Sequence, residues 1–140
     1  MSSFDGARSP EGTRSRDMVE LRLPADSSYL SVLRTATAGL AARLDFTLDE
    51  IEDLRIAVDE ACAMLLPDAV PLEPLTCRFR LSPDSLEVTV VATTVTGRAP
   101  GRDSFAWTVL TALAGEVEAT TDGSTVAVTL RKHRARSGPE

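Results

Sequence analysis

Histidine is almost missing from this chain. One occurs in 140 residues, His133, close to the end. That removes Ser-His and Cys-His catalysis, which need an imidazole base beside the nucleophile. Cysteine is nearly as scarce: Cys62 and Cys77 lack metal-ligand spacing and read as two buried thiols of a reducing compartment. No apolar run approaches the ~18 residues of a membrane span and no signal peptide opens the chain, so the protein reads as cytoplasmic. Neither GxxxxGK[ST] nor GxGxxG occurs, which removes the P-loop and the dinucleotide fingerprint. Acids are scattered along helix surfaces and offer no paired carboxylates for glycoside chemistry. Positive charge is in deficit, with 15 Lys+Arg against 21 Asp+Glu and a net charge of −6. That balance argues against nucleic acid or an anionic membrane as the partner and favours one with basic patches.

What is present fits one domain, long enough to bury roughly 70% of its unfolded surface without a disulfide or metal. The most strongly specified stretch is Phe46 to Leu66. Thr47 and Glu50 have capping-box spacing, with Phe46 and Ile51 at the hydrophobic-staple positions. Asp49, Glu50, Glu52 and Asp53 crowd the first two turns, where the helix dipole favours acid. Ile51, Leu54, Val58, Ala61 and Leu65 form one apolar stripe, and Pro67 stops the helix. Glu60 lies about 130° from the stripe's centre at 100° per residue. Ile56, Glu60, Ala63 and Met64 therefore turn toward something other than the core.

Residues 1–17 have no periodicity and read as a disordered tail. Val19 to Leu23 alternates as a half-buried strand, and Asp26 or Ser27 can cap a helix with a core stripe of Leu33, Ala36, Leu40 and Leu44. Arg34 falls at the edge of that stripe, either as a solvated charge or as a partner contact. A proline-rich link (Pro67, Pro71, Pro74) separates the central helix from two alternating strands, Leu75 to Leu81 and Leu86 to Ala92, joined by the turn Ser82 to Ser85. After a loop over residues 93–103, Asp103 or Ser104 caps a third helix with Phe105, Val109, Ala112 and Leu113 at helical spacing. Trp107 stands opposite and is expected to be only partly covered, and Gly115 ends the helix. Asp122-Gly123 then turns a last hairpin. Arg131 to Arg136 reads as a mobile, solvated basic tail. The order predicts an α/β two-layer sandwich (α+β): a mostly antiparallel five-stranded sheet with three helices on one face, spanning residues 18–132, with 133–140 as a tail.

Leu48 to Cys62 (LDEIEDLRIAVDEAC) resembles the central helix of the anti-sigma factors that are also serine kinases, within the histidine-kinase-like (GHKL) ATPase superfamily. Val19 to Leu44 and Ser104 to Leu113 resemble that family too, so the resemblance covers nearly the whole ordered domain. It implies a protein that holds a sigma factor away from RNA polymerase and is antagonised by an anti-anti-sigma (STAS-type) protein. It also implies a Mg–ATP site for phosphorylating that antagonist on serine.

The family's nucleotide site has four features. Its central helix ends Glu-x-x-x-Asn; Glu60 matches the Glu, as base or water orienter, although an acid on an exposed helix face also reads as merely solvated. The Asn position is Met64, whose thioether is a poor ligand for Mg²⁺. The adenine-binding Asp falls at Ala92 to Thr94, leaving only the hydroxyls of Thr93 and Thr94. The Gly-x-Gly that opens the third helix is Arg102 to Trp107 here, without glycine, with Asp103 repelling phosphate and Ser104 as the cap. The final threonine is matched by Thr125. With the Asn, Asp and Gly elements gone, no cofactor is expected to bind firmly, ATP and Mg²⁺ at most weakly, and the chain leans away from catalysis.

The sigma-binding residues do not depend on those losses. The family's sigma contact lies on the first helix, where Arg34, with Leu30 and Ser31, matches by position. The resemblance also implies a homodimer through the sheet edge and first helix. Three functions follow: an anti-sigma factor acting by sequestration, an active serine kinase whose Mg²⁺ is held by substitutes, or a fold relative binding another signalling protein.

Overall fold

The computed structural model describes residues 17–135. Of the tails expected at 1–17 and 133–140, residues 1–16 and 136–140 lie outside the described residues, and Asp17 opens β1. Along the chain run β1 (Asp17–Pro24), α1 (Leu30–Arg43), α2 (Leu48–Leu65), β2 (Pro74–Ser82), β3 (Ser85–Thr93), α3 (Phe105–Ala114), β4 (Glu116–Asp122) and β5 (Thr125–His133). The strands lie in the order β1-β2-β3-β5-β4, with every neighbouring pair antiparallel. The three helices cover one face, so the expected α+β sandwich is the observed one.

Strand alternation sets the layering. On β3, Leu86, Val88, Val90 and Ala92 are buried beneath the helices, and their neighbours point outward. Val126, Val128 and Leu130 on β5 and Cys77, Phe79 and Leu81 on β2 extend that inner row. α3 carries the chain from β3 to the sheet edge. The turn at Gly123, with φ of 65°, returns β5 to the slot beside β3.

α2 forms as its sequence dictates. The Thr47 hydroxyl accepts the Glu50 N–H at 3.1 Å, and the Glu50 carboxylate accepts the Thr47 N–H at 2.8 Å. Leu54, Val58, Ala61 and Leu65 are buried as expected, joined by Ala57 and Cys62, while Ile51 is half-buried. In α1 the buried line is Leu33, Thr37 and Ala41, with Ala36, Leu40 and Leu44 only half-buried. A threonine enters the core because its hydroxyl donates to the Leu33 carbonyl at 2.8 Å, inside its own helix.

α3 corrects its expected orientation. Trp107, Leu110 and Ala114 face inward, whereas Phe105 is 82% exposed and Ala112 is exposed. The helix reads FAWTVLTALA, apolar on nearly every side, so its period cannot say which side is inward. The expected basic tail also begins too early: Arg131, Lys132 and His133 belong to β5. Arg131 lies between Glu87 at 3.2 Å and Glu116 at 2.9 Å, with His133 3.0 Å from Glu116. Lys132 donates to the Leu113 carbonyl at 2.8 Å and sits 3.6 Å from Asp53. Pairing with β3 and β4 makes the apparent tail a strand, and acids on neighbouring elements meet its charges. Hydrogen bonds from Arg131 and His133 hold the Glu116 carboxyl below its ordinary pKa, and Arg131 is raised in turn.

Candidate functional site

α2 is the element on which the site residues are strung. It contacts both other helices, and its half-buried residues Asp59, Glu60 and Met64 lie beside the covered stripe. Asp59 points to α1. The Arg34 Nη1 donates to both oxygens of its carboxylate, at 2.9 and 3.1 Å. The side chains stay 35% and 38% exposed; ion pairs so placed contribute about 0–1 kcal/mol to stability. Ser31 is exposed one turn before Arg34, with Leu30 half-buried against the core. Ile56 and Ala63, one turn either side of the Asp59–Glu60 pair, are exposed as well. The two helices thus present one mixed surface with a charge pair at its centre.

The loop from β3 to α3 is built differently. Thr94 is buried, 3% exposed, at the strand end. Its hydroxyl accepts the Gly97 N–H at 2.8 Å and donates to the Ser124 carbonyl at 3.3 Å. The Thr94 N–H reaches the same carbonyl at 2.7 Å, and the Val95 N–H donates to the Asp68 carbonyl at 2.8 Å. Gly97 sits at φ 67°, and a Cβ there would stand 2.6 Å from the Gly123 carbonyl oxygen. Only glycine permits that approach. The loop is therefore sealed onto the β4–β5 turn by its own polar groups.

The remaining expected residues disperse. Thr93 and Thr125 pair with each other across β3 and β5, on the outward row that also holds Thr89 and Thr129. α2 packs on the opposite face, so these threonines do not converge with Glu60. Ser104 caps α3, accepting the Trp107 N–H at 3.1 Å and donating to the Gly101 carbonyl at 2.9 Å. The Arg102 guanidinium lies 5.4 Å from the Trp107 ring centre. Hollows of about 600 Å³ beside Pro24, Leu72 and Pro74 and of about 410 Å³ beside Trp107, Glu116 and Arg131 involve neither Glu60 nor Met64.

These donors do not suit Mg–ATP. Met64 brings sulfur where a hard cation needs oxygen, and the Thr94 hydroxyl is already used in both directions. Among the described residues, no three His, Cys, Asp or Glu side chains gather as a metal site. Cys62 and Cys77 are fully buried free thiols. Burial pushes the Cys77 thiol up to about 12 and the Cys62 thiol well above the ordinary range, so neither is a nucleophile at neutral pH. Among the described residues, no helix is long and apolar enough to cross a membrane.

Sequence reasoning overlooked two features. Asp59 as the partner of Arg34 carries no local signal, because 25 residues separate them. The Thr94–Gly97 seal was legible only as a glycine-containing loop.

The chain matches no family model. It is 38% identical over 130 residues to the anti-sigma-F factor RsbW of Mycobacterium tuberculosis, covering 85% of this chain and 75% of that protein. It is 39% identical over 77 residues to the serine-protein kinase RsbW of Bacillus subtilis, covering 53% of this chain and 48% of that one. A solved structure of the RsbU and RsbW domains of a Mycobacterium tuberculosis protein superimposes with a TM-score of 0.68 over 86% of this chain and 33% of its own. At 14% identity, that likeness establishes the fold. A relative 38% identical, matched over three quarters of its own length, shows that the chain belongs to the RsbW family of anti-sigma factors and serine-protein kinases.

Proposed function

We propose that this protein is an anti-sigma factor that works by sequestration. It holds an alternative sigma factor away from RNA polymerase until an anti-anti-sigma antagonist takes its place, and it does so without ATP. The observation that carries this reading is the contrast around α2. The Arg34–Asp59 face is half-exposed, while the nucleotide side has Met64 for a metal ligand and a Thr94 hydroxyl occupied by the fold. The name anti-sigma-F factor borne by the Mycobacterium tuberculosis relative supports the same reading. The net charge of −6 suits basic, DNA-binding regions of a sigma factor and not nucleic acid itself. Arg34, with Leu30 and Ser31, is the proposed contact. The protein acts in the cytoplasm as a homodimer, for which the exposed edge strand β1, with Met18 52% exposed, and α1 are the proposed surfaces.

The second reading is a serine kinase acting on the antagonist, favoured by the Bacillus subtilis relative's name and by Glu60 at the base position. Calorimetry separates the two. Sequestration expects a stoichiometric complex with one of the host's purified alternative sigma factors, weakened by Arg34→Ala, and no heat from ATP with or without magnesium. Transfer of labelled phosphate to the antagonist, abolished by Glu60→Ala, would establish the kinase instead.

A further inference from the structure

Arg34 enters the proposed contact already held. A single guanidinium nitrogen, Nη1, meets both oxygens of Asp59, so the arginine engages through one nitrogen and not fork to fork. Nη2 and Nε make no hydrogen bond among the described residues. That edge carries two parallel N–H donors, the arrangement that matches a carboxylate bidentately. Both side chains remain more than a third exposed, and neither Nη2 nor Nε is a buried atom, so an incoming group can reach the edge.

A helix-to-helix tie alone gives a weak account of this geometry. α1 and α2 are already joined through buried Leu33, Ala41, Leu54 and Val58, and a half-exposed ion pair adds little to such a junction. A freely rotating arginine, however, is a poor recognition group, because binding must first freeze its rotamers. An arginine fixed at one nitrogen has lost much of that freedom before the partner arrives. The flanking residues fit a contact: Ile56 and Ala63 offer apolar surface, and Ser31 lies one turn from Arg34.

We propose that Asp59 is a positioning residue, which holds the free edge of Arg34 toward a carboxylate of the sigma factor. The inference rests on the sequestration reading. Asp59 itself touches no partner. Its removal lengthens the search that Arg34 makes for its carboxylate and speeds dissociation, by roughly two- to tenfold in affinity for one side chain no longer ordered in advance.

The test titrates the host sigma factor that binds the wild type against Asp59→Asn, Asp59→Glu, Arg34→Ala and the double variant Arg34→Ala/Asp59→Asn. Alongside, ¹⁵N relaxation of the Arg34 Nε–H is followed in the free protein. Asp59→Asn is expected to weaken binding two- to tenfold, less than Arg34→Ala, and to make the Nε–H mobile on the ps–ns timescale. Asp59→Glu should restore part of the loss, and the double variant should bind no more weakly than Arg34→Ala alone. Unchanged or tighter binding by Asp59→Asn, while Arg34→Ala weakens, overturns the positioning role and leaves the sequestration reading standing. Additive losses in the double variant also overturn it, because Asp59 would then act apart from Arg34. If the wild type binds none of the sigma factors, the sequestration reading falls and this inference with it.

Discussion

The α1–α2 face and the β3–α3 loop treat their polar groups in opposite ways. At the first, Arg34 uses one nitrogen on Asp59, and its other nitrogens have no hydrogen-bond partner among the described residues. At the second, Thr94 uses both directions of its hydroxyl inside the fold, and the neighbouring backbone N–H groups end on Ser124 and Asp68. Recognition requires groups that are held in place yet unsaturated. The first region retains such groups, and the second has closed on itself.

Glycine substitutions break the comparison hardest. Gly97→Ala sets a Cβ against the Gly123 carbonyl at a positive φ. It should cost about 2–3 kcal/mol, read as a lower urea midpoint. Gly39, in the interior of α1, has nothing within 4 Å of its would-be Cβ; Gly39→Ala should stabilise by about 0.5–1 kcal/mol. If the two substitutions behave alike, the loop is not sealed as described. Thr94→Val keeps the shape but orphans the Gly97 N–H, and a loss of about 1–3 kcal/mol is expected. A neutral result would mean that the loop rearranges freely.

Glu50 gives a smaller, pH-dependent effect. Burial pushes its carboxyl up, but the N–H groups of Thr47 and Ala135 outweigh that and hold it below its ordinary value. A depressed folded pKa stabilises above the unfolded value of about 4.3, and the gain disappears as pH falls through the folded one. Glu50→Gln should therefore lower the thermal midpoint at pH 7, with the gap from wild type closing below about pH 4. The smallest expected effect is none: Met64→Asn restores a metal-binding oxygen, yet calorimetry with Mg–ATP should stay at baseline, because Thr94 and the glycine-free opening of α3 are unchanged. Measurable binding would show that one side chain alone had silenced the site.

How far the sequence could be read depended on where each signal resides. The cap of α2 and the Asp122-Gly123 turn are set by backbone groups a few residues away, and the stripe of α2 and the alternation of β2 and β3 by the spacing of apolar side chains; all four appear as expected, save that Ile51 is only half-buried. The inward side of α3 was illegible, because a helix apolar all round buries whichever side meets the sheet. The strand at Arg131 to His133 was hidden because its acidic partners, Glu87 and Glu116, come from other elements. The sequence by itself determined the elements and the fold class. Only the tertiary structure decided that Arg34 meets Asp59 and that Thr94 is sealed by Gly97 and Ser124. Those contacts depend on where separate helices and turns come to rest against the sheet, which no local spacing encodes.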